Sequence, residues 1–195
     1  AAARDSVRRE VSPELLQRLN LFSVSTRCRD RNEYLTRPDL GREFDEQALE
    51  AIKSRCAGRP RVQLFAAGGL SAEAVEANLA NTRPACADGL AAKGIAMGTP
   101  FYVEFARVGC MDAISEALDA EVTCVLIGER PGLATAESMS AYIAYRATAG
   151  MPESRRTVVS NIHKGGIAAV EAGAYIADVI CRILEQKASG VELKR

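Results

Sequence analysis

Beyond residue 60, short apolar runs alternate with segments whose apolar residues recur every three or four positions. That alternation predicts strands and amphipathic helices in turn, the pattern of a mostly parallel sheet with helices on both faces. Residues 62–67 read as a strand, Gly68-Gly69 as a tight turn, and Ser71 as the cap of a helix whose stripe includes Val75 and Leu79. Residues 101–108 read as a second strand and 112–118 as a short helix. The run Val122-Thr123-Cys124-Val125-Leu126-Ile127 lacks the alternation of a half-solvated strand and belongs at a sheet centre. Further strands are predicted at 140–145 and 157–162. The longest helix is predicted at 167–184, with Val170, Ile176, Ile180, Ile183 and Leu184 facing inward and Gly190 just beyond its end.

The first 60 residues are patterned differently. Ser12-Pro13 opens a helix with Leu15, Leu16 and Leu19 on one stripe, and 21–25 is a short β-like run. Residues 27–42 are crowded with charge and turn signals, including Arg37-Pro38-Asp39-Leu40-Gly41, through which no helix continues. Another helix follows from Asp45, with Leu49, Ile52 and Cys56 on its stripe and Gly58 as its left-handed closing residue. The fold class expected is α/β, a mostly parallel sheet preceded by a small helical N-terminal segment, divided into residues 1–60 and 61–195.

A chain of 195 residues buries roughly 70% of its unfolded surface, enough for a substantial core. Lys plus Arg balance Asp plus Glu at 25 each, so no net field favours nucleic acid or an anionic membrane. Trp is absent, which removes the best stacking platform for single-stranded nucleic acid. No apolar run is long enough to span a bilayer. The six cysteines show no Cys-x-x-Cys and no histidines at zinc spacing, so buried reduced thiols in a cytoplasmic protein are expected rather than a metal cluster. The opening Ala1-Ala2-Ala3-Arg4-Asp5 has no Met and no signal pattern, and reads as a piece of a longer protein.

Ligands of open α/β sheets bind beyond the carboxyl ends of the strands. Three stretches qualify: Gly128-Glu129-Arg130-Pro131-Gly132-Leu133, the Arg107-Val108-Gly109 turn, and His163-Lys164-Gly165-Gly166. The first, extended back through Cys124-Val125-Leu126-Ile127, closely resembles a signature of ethanolamine ammonia-lyase small subunits. Three more runs fall in the family's order: Tyr34-Leu35 with Arg37-Pro38-Asp39-Leu40-Gly41-Arg42, then Ser160-Asn161-Ile162, then Ser189-Gly190-Val191.

The resemblance implies a Rossmann-like small subunit that covers part of adenosylcobalamin at the interface with a large subunit. The large subunit carries the substrate residues of a radical conversion of ethanolamine to acetaldehyde and ammonia. No catalytic residue and no protein metal ligand is implied in this chain, because the coenzyme keeps its own dimethylbenzimidazole on cobalt. The family's coenzyme contacts fall here on Val108 and Glu129, with Arg107 adjoining, and on Val158 where relatives carry a cysteine. Many relatives also carry an aspartate at Gly68. The full-length protein is expected in the cytoplasm, within a bacterial microcompartment.

Two alternatives compete with these assignments. Glu129 and Arg130 could form a solvent-screened pair beside a turn, and Asn161-x-His163-x-x-Gly166 is one residue from a cobalt-ligating motif, although Asn161 lacks the carboxylate that usually orients a ligating imidazole. The chain as a whole could instead be a stand-alone α/β module that binds a small molecule at an anion nest, Gly68-Gly69-Leu70-Ser71. It lacks Gly-x-Gly-x-x-Gly and a P-loop lysine, and its single histidine has no nucleophile elbow nearby.

Overall fold

A computed structural model of the chain describes residues 9–133 and 135–195. Among these, six strands form one sheet in the order β1-β3-β2-β4-β5-β6: β1 Phe22–Ser25, β2 Val62–Ala67, β3 Phe101–Glu104, β4 Val122–Gly128, β5 Met139–Tyr145 and β6 Thr157–Ile162. β1, β3, β2 and β4 pair in parallel, whereas β5 runs antiparallel to both its neighbours. Every residue of β2 and β4 is buried, which is why neither sequence alternates. β1 comes from the first 60 residues and gives the sheet one of its edges.

The helices are α1 (Pro13–Arg18), α2 (Arg31–Thr36), α3 (Glu46–Arg55), α4 (Ala72–Ala91), α5 (Cys110–Leu118) and α6 (Ala169–Gln186). On one face, α1, α4 and α6 bury Leu15, Leu79 and Ile180 against Leu64, Cys124 and Ile143. On the other, α3 and α5 bury Ile52 and Ile114 against Phe65, Phe101 and Val125. The α/β sheet with helices on both faces is therefore the architecture observed. Among the described residues no helix is long and apolar enough to cross a membrane.

The caps follow local chemistry. Ser12, Asp45 and Ser71 each accept a hydrogen bond from the N–H three residues on, satisfying one orphan donor of α1, α3 and α4. Several expectations need correction. α2 was hidden in the charged 27–42 stretch; Asp30 caps it by accepting from Glu33 N at 2.9 Å, and it stops just before Pro38. The 101–108 strand ends at Glu104, because Phe105 takes φ 56° and turns the chain out of the ladder. The left-handed residue after α3 is Arg59 at φ 55°, not Gly58. Helix α4, at 20 residues, exceeds the 18 of α6, and it runs on through Pro84, where its packing against α6 outweighs the helix-breaking tendency of proline. Val170 lies in the first turn of α6 and is 58% exposed rather than inward.

From β2 the chain crosses through α4 to β3 on one side, then through α5 to β4 on the other side of β2. The connections thus diverge at the β2/β4 boundary, and a crevice opens outside the carboxyl ends of strands at such a point.

Candidate functional site

Loops leaving β2, β3 and β4 meet at that boundary around a pocket of about 100 Å³, whose lining includes Tyr34, Gly69, Arg107, Val108, Glu129 and Tyr142. The β2 loop is pressed onto the end of β4. Leu70 N donates to Gly128 O at 3.1 Å, and a Cβ on Gly128 would lie 2.0 Å from Ser71 O. Gly69 sits at φ 57°, the left-handed region that a side chain disfavours. Both positions require glycine for the loops to touch.

A buried polar network fixes the same end of the sheet from the N-terminal side. The Tyr102 hydroxyl donates to Glu10, which also accepts from Phe105 N at 3.2 Å and Arg31 Nη1 at 2.8 Å. Burial raises the Glu10 carboxyl above its ordinary value, opposed by the Tyr102 hydrogen bond and the Arg31 charge. A Cβ on Gly68 would come within 2.8 Å of the Tyr102 hydroxyl and 3.2 Å of Glu10 Oε2. A side chain at position 68 would therefore crowd the Tyr102–Glu10 hydrogen bond.

The Arg107 guanidinium carbon lies over the Tyr34 ring, 4.4 Å from its centroid, and Nη2 donates to Tyr34 O at 2.6 Å. The Arg107 backbone N–H donates to Gly41 O at 2.9 Å. Val108, half-buried, follows directly, and its carbonyl accepts from Met111 N in the entry to α5. Glu129 opens the loop after β4, its N–H donating to Ser138 O at 2.9 Å. The far side of that loop is held by α4: Ser71 Oγ donates to Ala136 O, and Asn78 Nδ2 donates to Glu137 O at 2.8 Å. The Tyr142 hydroxyl donates to Glu129 Oε1 at 3.0 Å, and burial together with the Glu129 charge pushes the phenol up to about 12. Glu129 partners Tyr142 and forms no ion pair with the exposed Arg130 among the described residues.

Three of the four predicted site residues, Arg107, Val108 and Glu129, thus line one pocket. Val158 does not. It stands opposite Tyr142 in the β5–β6 ladder, 48% exposed, on a stretch of sheet beside the pocket. His163 sits beyond β6 with both ring nitrogens engaged: Nδ1 accepts from Gly165 N at 3.1 Å, which leaves Nε2 to donate to Asn161 Oδ1 at 2.7 Å. The anion nest fails on its donors, because the N–H groups of Gly68, Leu70 and Ser71 go to Tyr102, Gly128 and Gly68 respectively.

A larger cleft of about 680 Å³ lies between α5 and the 149–156 loop and contains none of the predicted residues. Arg156 there is paired with Asp112 at 2.8 Å and Glu153 at 2.8 Å, so its charge is already matched. The smaller pocket is the stronger candidate because it opens at the β2/β4 boundary and is lined by three of the predicted residues. Sequence reasoning missed Tyr34 and Tyr142 as members of it. Tyr34 carried a signal in the Tyr34-Leu35 run, whereas Tyr142 read as one more strand residue.

The family profile described as ethanolamine ammonia-lyase light chain matches residues 1–194. The chain belongs to that family. It is 56% identical over 194 residues to the ethanolamine ammonia-lyase small subunit of Fusobacterium nucleatum, an alignment covering 100% of this chain and 66% of the relative. The small subunits of Clostridium tetani and Listeria monocytogenes are 57% and 50% identical over the same 194 residues, again with 100% and 66% coverage. The chain therefore spans 66% of the length of these relatives.

Proposed function

We propose that this chain is the part of an adenosylcobalamin-dependent ethanolamine ammonia-lyase that grips the coenzyme from one side, at an interface with a large subunit that holds ethanolamine. The observation carrying this reading is the convergence of Val108 and Glu129, from the loops after β3 and β4, on one pocket at the β2/β4 boundary. The diverging crossovers about β2 support reading the sheet as Rossmann-like, with the ligand proposed at the switch point. Family membership supplies the reaction class.

The residues present fit a corrinoid. Its rim carries amides, and Glu129 has a carboxylate oxygen that accepts no hydrogen bond among the described residues. Val108 offers apolar contact, and Val158 and Ser160 lie exposed on the sheet beside the pocket, in reach of a flat ligand. His163 has no ring nitrogen to spare, in keeping with a coenzyme that retains its dimethylbenzimidazole. When bound, adenosylcobalamin supplies the adenosyl radical by homolysis of its cobalt–carbon bond. This chain's work is to bind and orient the rim and to exclude water from one face. The residues that act on ethanolamine, and the placement in a bacterial microcompartment, belong to the full assembly.

The test is to combine the full-length protein with the large subunit and follow coenzyme-dependent acetaldehyde release. Glu129→Ala raises the coenzyme concentration for half-activity by about tenfold, the size of one hydrogen bond to a charged group, without preventing assembly. Unchanged coenzyme dependence would remove Glu129 from the site.

A further inference from the structure

The Glu10 carboxylate lies at the ends of β2 and β3 in a cradle of donors. Oε1 accepts from Phe105 N at 3.2 Å and from Arg31 Nη1 at 2.8 Å, while Oε2 accepts from the Tyr102 hydroxyl. Each donor is held by contacts in which Glu10 has no part. The Tyr102 hydroxyl accepts from Gly68 N at 3.1 Å, which leaves its own proton to be donated. Phe105, at φ 56°, turns its N–H out of the β3 ladder, and Thr26 Oγ1 fixes that turn by donating to Phe105 O at 2.9 Å. Arg31 Nη2 donates to Gly69 O at 2.7 Å, and the guanidinium carbon stands 4.4 Å from the Tyr34 ring centroid. Donors organised in advance bind a ligand without the cost of ordering them.

We infer that the ends of β2 and β3 carry a carboxylate-binding site, distinct from the Arg107–Glu129 pocket, which residues 9–12 close in cis by inserting Glu10. Glu10, Arg31, Tyr102 and Phe105 are all absent from the lining of that pocket. Tyr102 belongs to the core on the α4 face, whereas Val108, Ile127 and Tyr142 pack on the α5 face. The inference therefore stands whether or not the pocket takes the coenzyme. The donor set selects the ligand. Two joined oxygens, one shared by Phe105 and Arg31 and the other on Tyr102, suit a carboxylate through charge-assisted hydrogen bonds. A chloride has one centre and cannot serve both positions, and an ammonium meets the Arg31 charge. Glu104, the acidic neighbour, accepts from Ser25 Oγ at 2.9 Å. The Glu10 side chain is 17% exposed, so a small ion reaches the cradle from solvent. The rest of the 9–12 segment has its own anchors: Arg9 donates to both Glu76 oxygens at 2.7 Å and 2.9 Å, and Val11 is buried.

The experiment uses the full-length protein at neutral pH, with sodium acetate as the probe and sodium chloride of equal ionic strength as the reference. Glu10→Ala removes Cγ, Cδ and both oxygens, the heavy-atom skeleton of acetate. Acetate raises the melting temperature of Glu10→Ala saturably, by about 5 °C at a hundredfold excess over its dissociation constant. The native protein and Glu10→Gln, whose cradles are filled, gain less than about 1 °C. Adding Tyr102→Phe to Glu10→Ala raises the half-saturating acetate concentration about tenfold. No acetate-specific rise, an equal rise in the native protein, or a rise untouched by Tyr102→Phe overturns the inference. Should Glu10→Ala not fold in chloride, its refolding from urea decides: folded protein recovered in acetate alone supports the site, and none in either salt overturns it. No corrinoid enters these measurements, so their failure leaves the coenzyme reading standing.

Discussion

The Tyr102 hydroxyl donates to the Glu10 carboxylate and accepts from Gly68 N at 3.1 Å, so one side chain of β3 ties the N-terminal segment to the loop that floors the pocket. The link has an electrostatic consequence. Glu10 is pushed above its ordinary carboxyl value, first by burial, so the native state holds that proton more tightly than the unfolded chain does. Its contribution to stability is greatest below the unfolded value near 4.5 and is lost as pH rises through the native one.

Glu10→Gln removes this titration while keeping an acceptor for Tyr102. Thermal melts of the substituted and native proteins are expected to diverge as pH rises from acid to neutral, with Glu10→Gln gaining relative to native. A difference in Tm that is constant across that range would show that Glu10 is not held above its ordinary value.

The buried pair across the sheet face makes a second case. Arg156 donates to both Asp112 oxygens, at 2.8 Å and 3.0 Å, with side-chain exposures of 2% and 11%. Burial works against the guanidinium's charge, but the hydrogen bonds to Asp112 and Glu153 outweigh it and hold its pKa above the ordinary value. Asp112→Asn should lower unfolding free energy by about 3–5 kcal/mol, since it leaves a buried cation underpaired. Replacing both partners with Arg156→Met and Asp112→Leu should recover most of that loss in urea titrations. A double substitution as damaging as the single would mean the pair is net stabilising.

At the β2/β4 boundary, the contact between Gly128 and the 68–71 turn leaves no space. Gly128→Ala places a methyl 2.0 Å from Ser71 O and 2.5 Å from Gly68 O, both backbone atoms, so the loops must part. We expect a loss of about 3 kcal/mol in urea unfolding, at the upper end of overpacking costs, with weaker cyanocobalamin retention by the assembled protein. Native-like stability of this variant would contradict the packing described.

For His163, the two hydrogen bonds leave no lone pair for a metal unless the 161–166 turn rearranges. Isotopic labelling of histidine nitrogen should therefore leave the cob(II)alamin resonance of the assembled protein unchanged. Additional nitrogen coupling would place a protein imidazole on cobalt.

Sequence alone determined the elements whose causes are local. The bounds of β2 and β6, the unalternating β4, and the caps at Ser12 and Ser71 all follow from side-chain periodicity and from hydrogen bonds spanning three residues. The loops carrying Arg107, Val108 and Glu129 were legible as candidates because strand ends in an α/β chain are where ligands bind. Helix α2 was not, since its stabilisation comes from Asp30 and from Tyr34 buried under two guanidiniums rather than from an apolar stripe.

What only the tertiary structure decided was who meets whom. Tyr142 reaches Glu129 because β5 turns back antiparallel on β4, and nothing in residues 139–145 encodes that direction. Arg107 meets Tyr34 across 73 residues, and Glu10 reaches Tyr102 across 92. Such contacts depend on strand order and crossover side, which are set by how whole helices bury their faces against the sheet, and no local window of sequence contains that information.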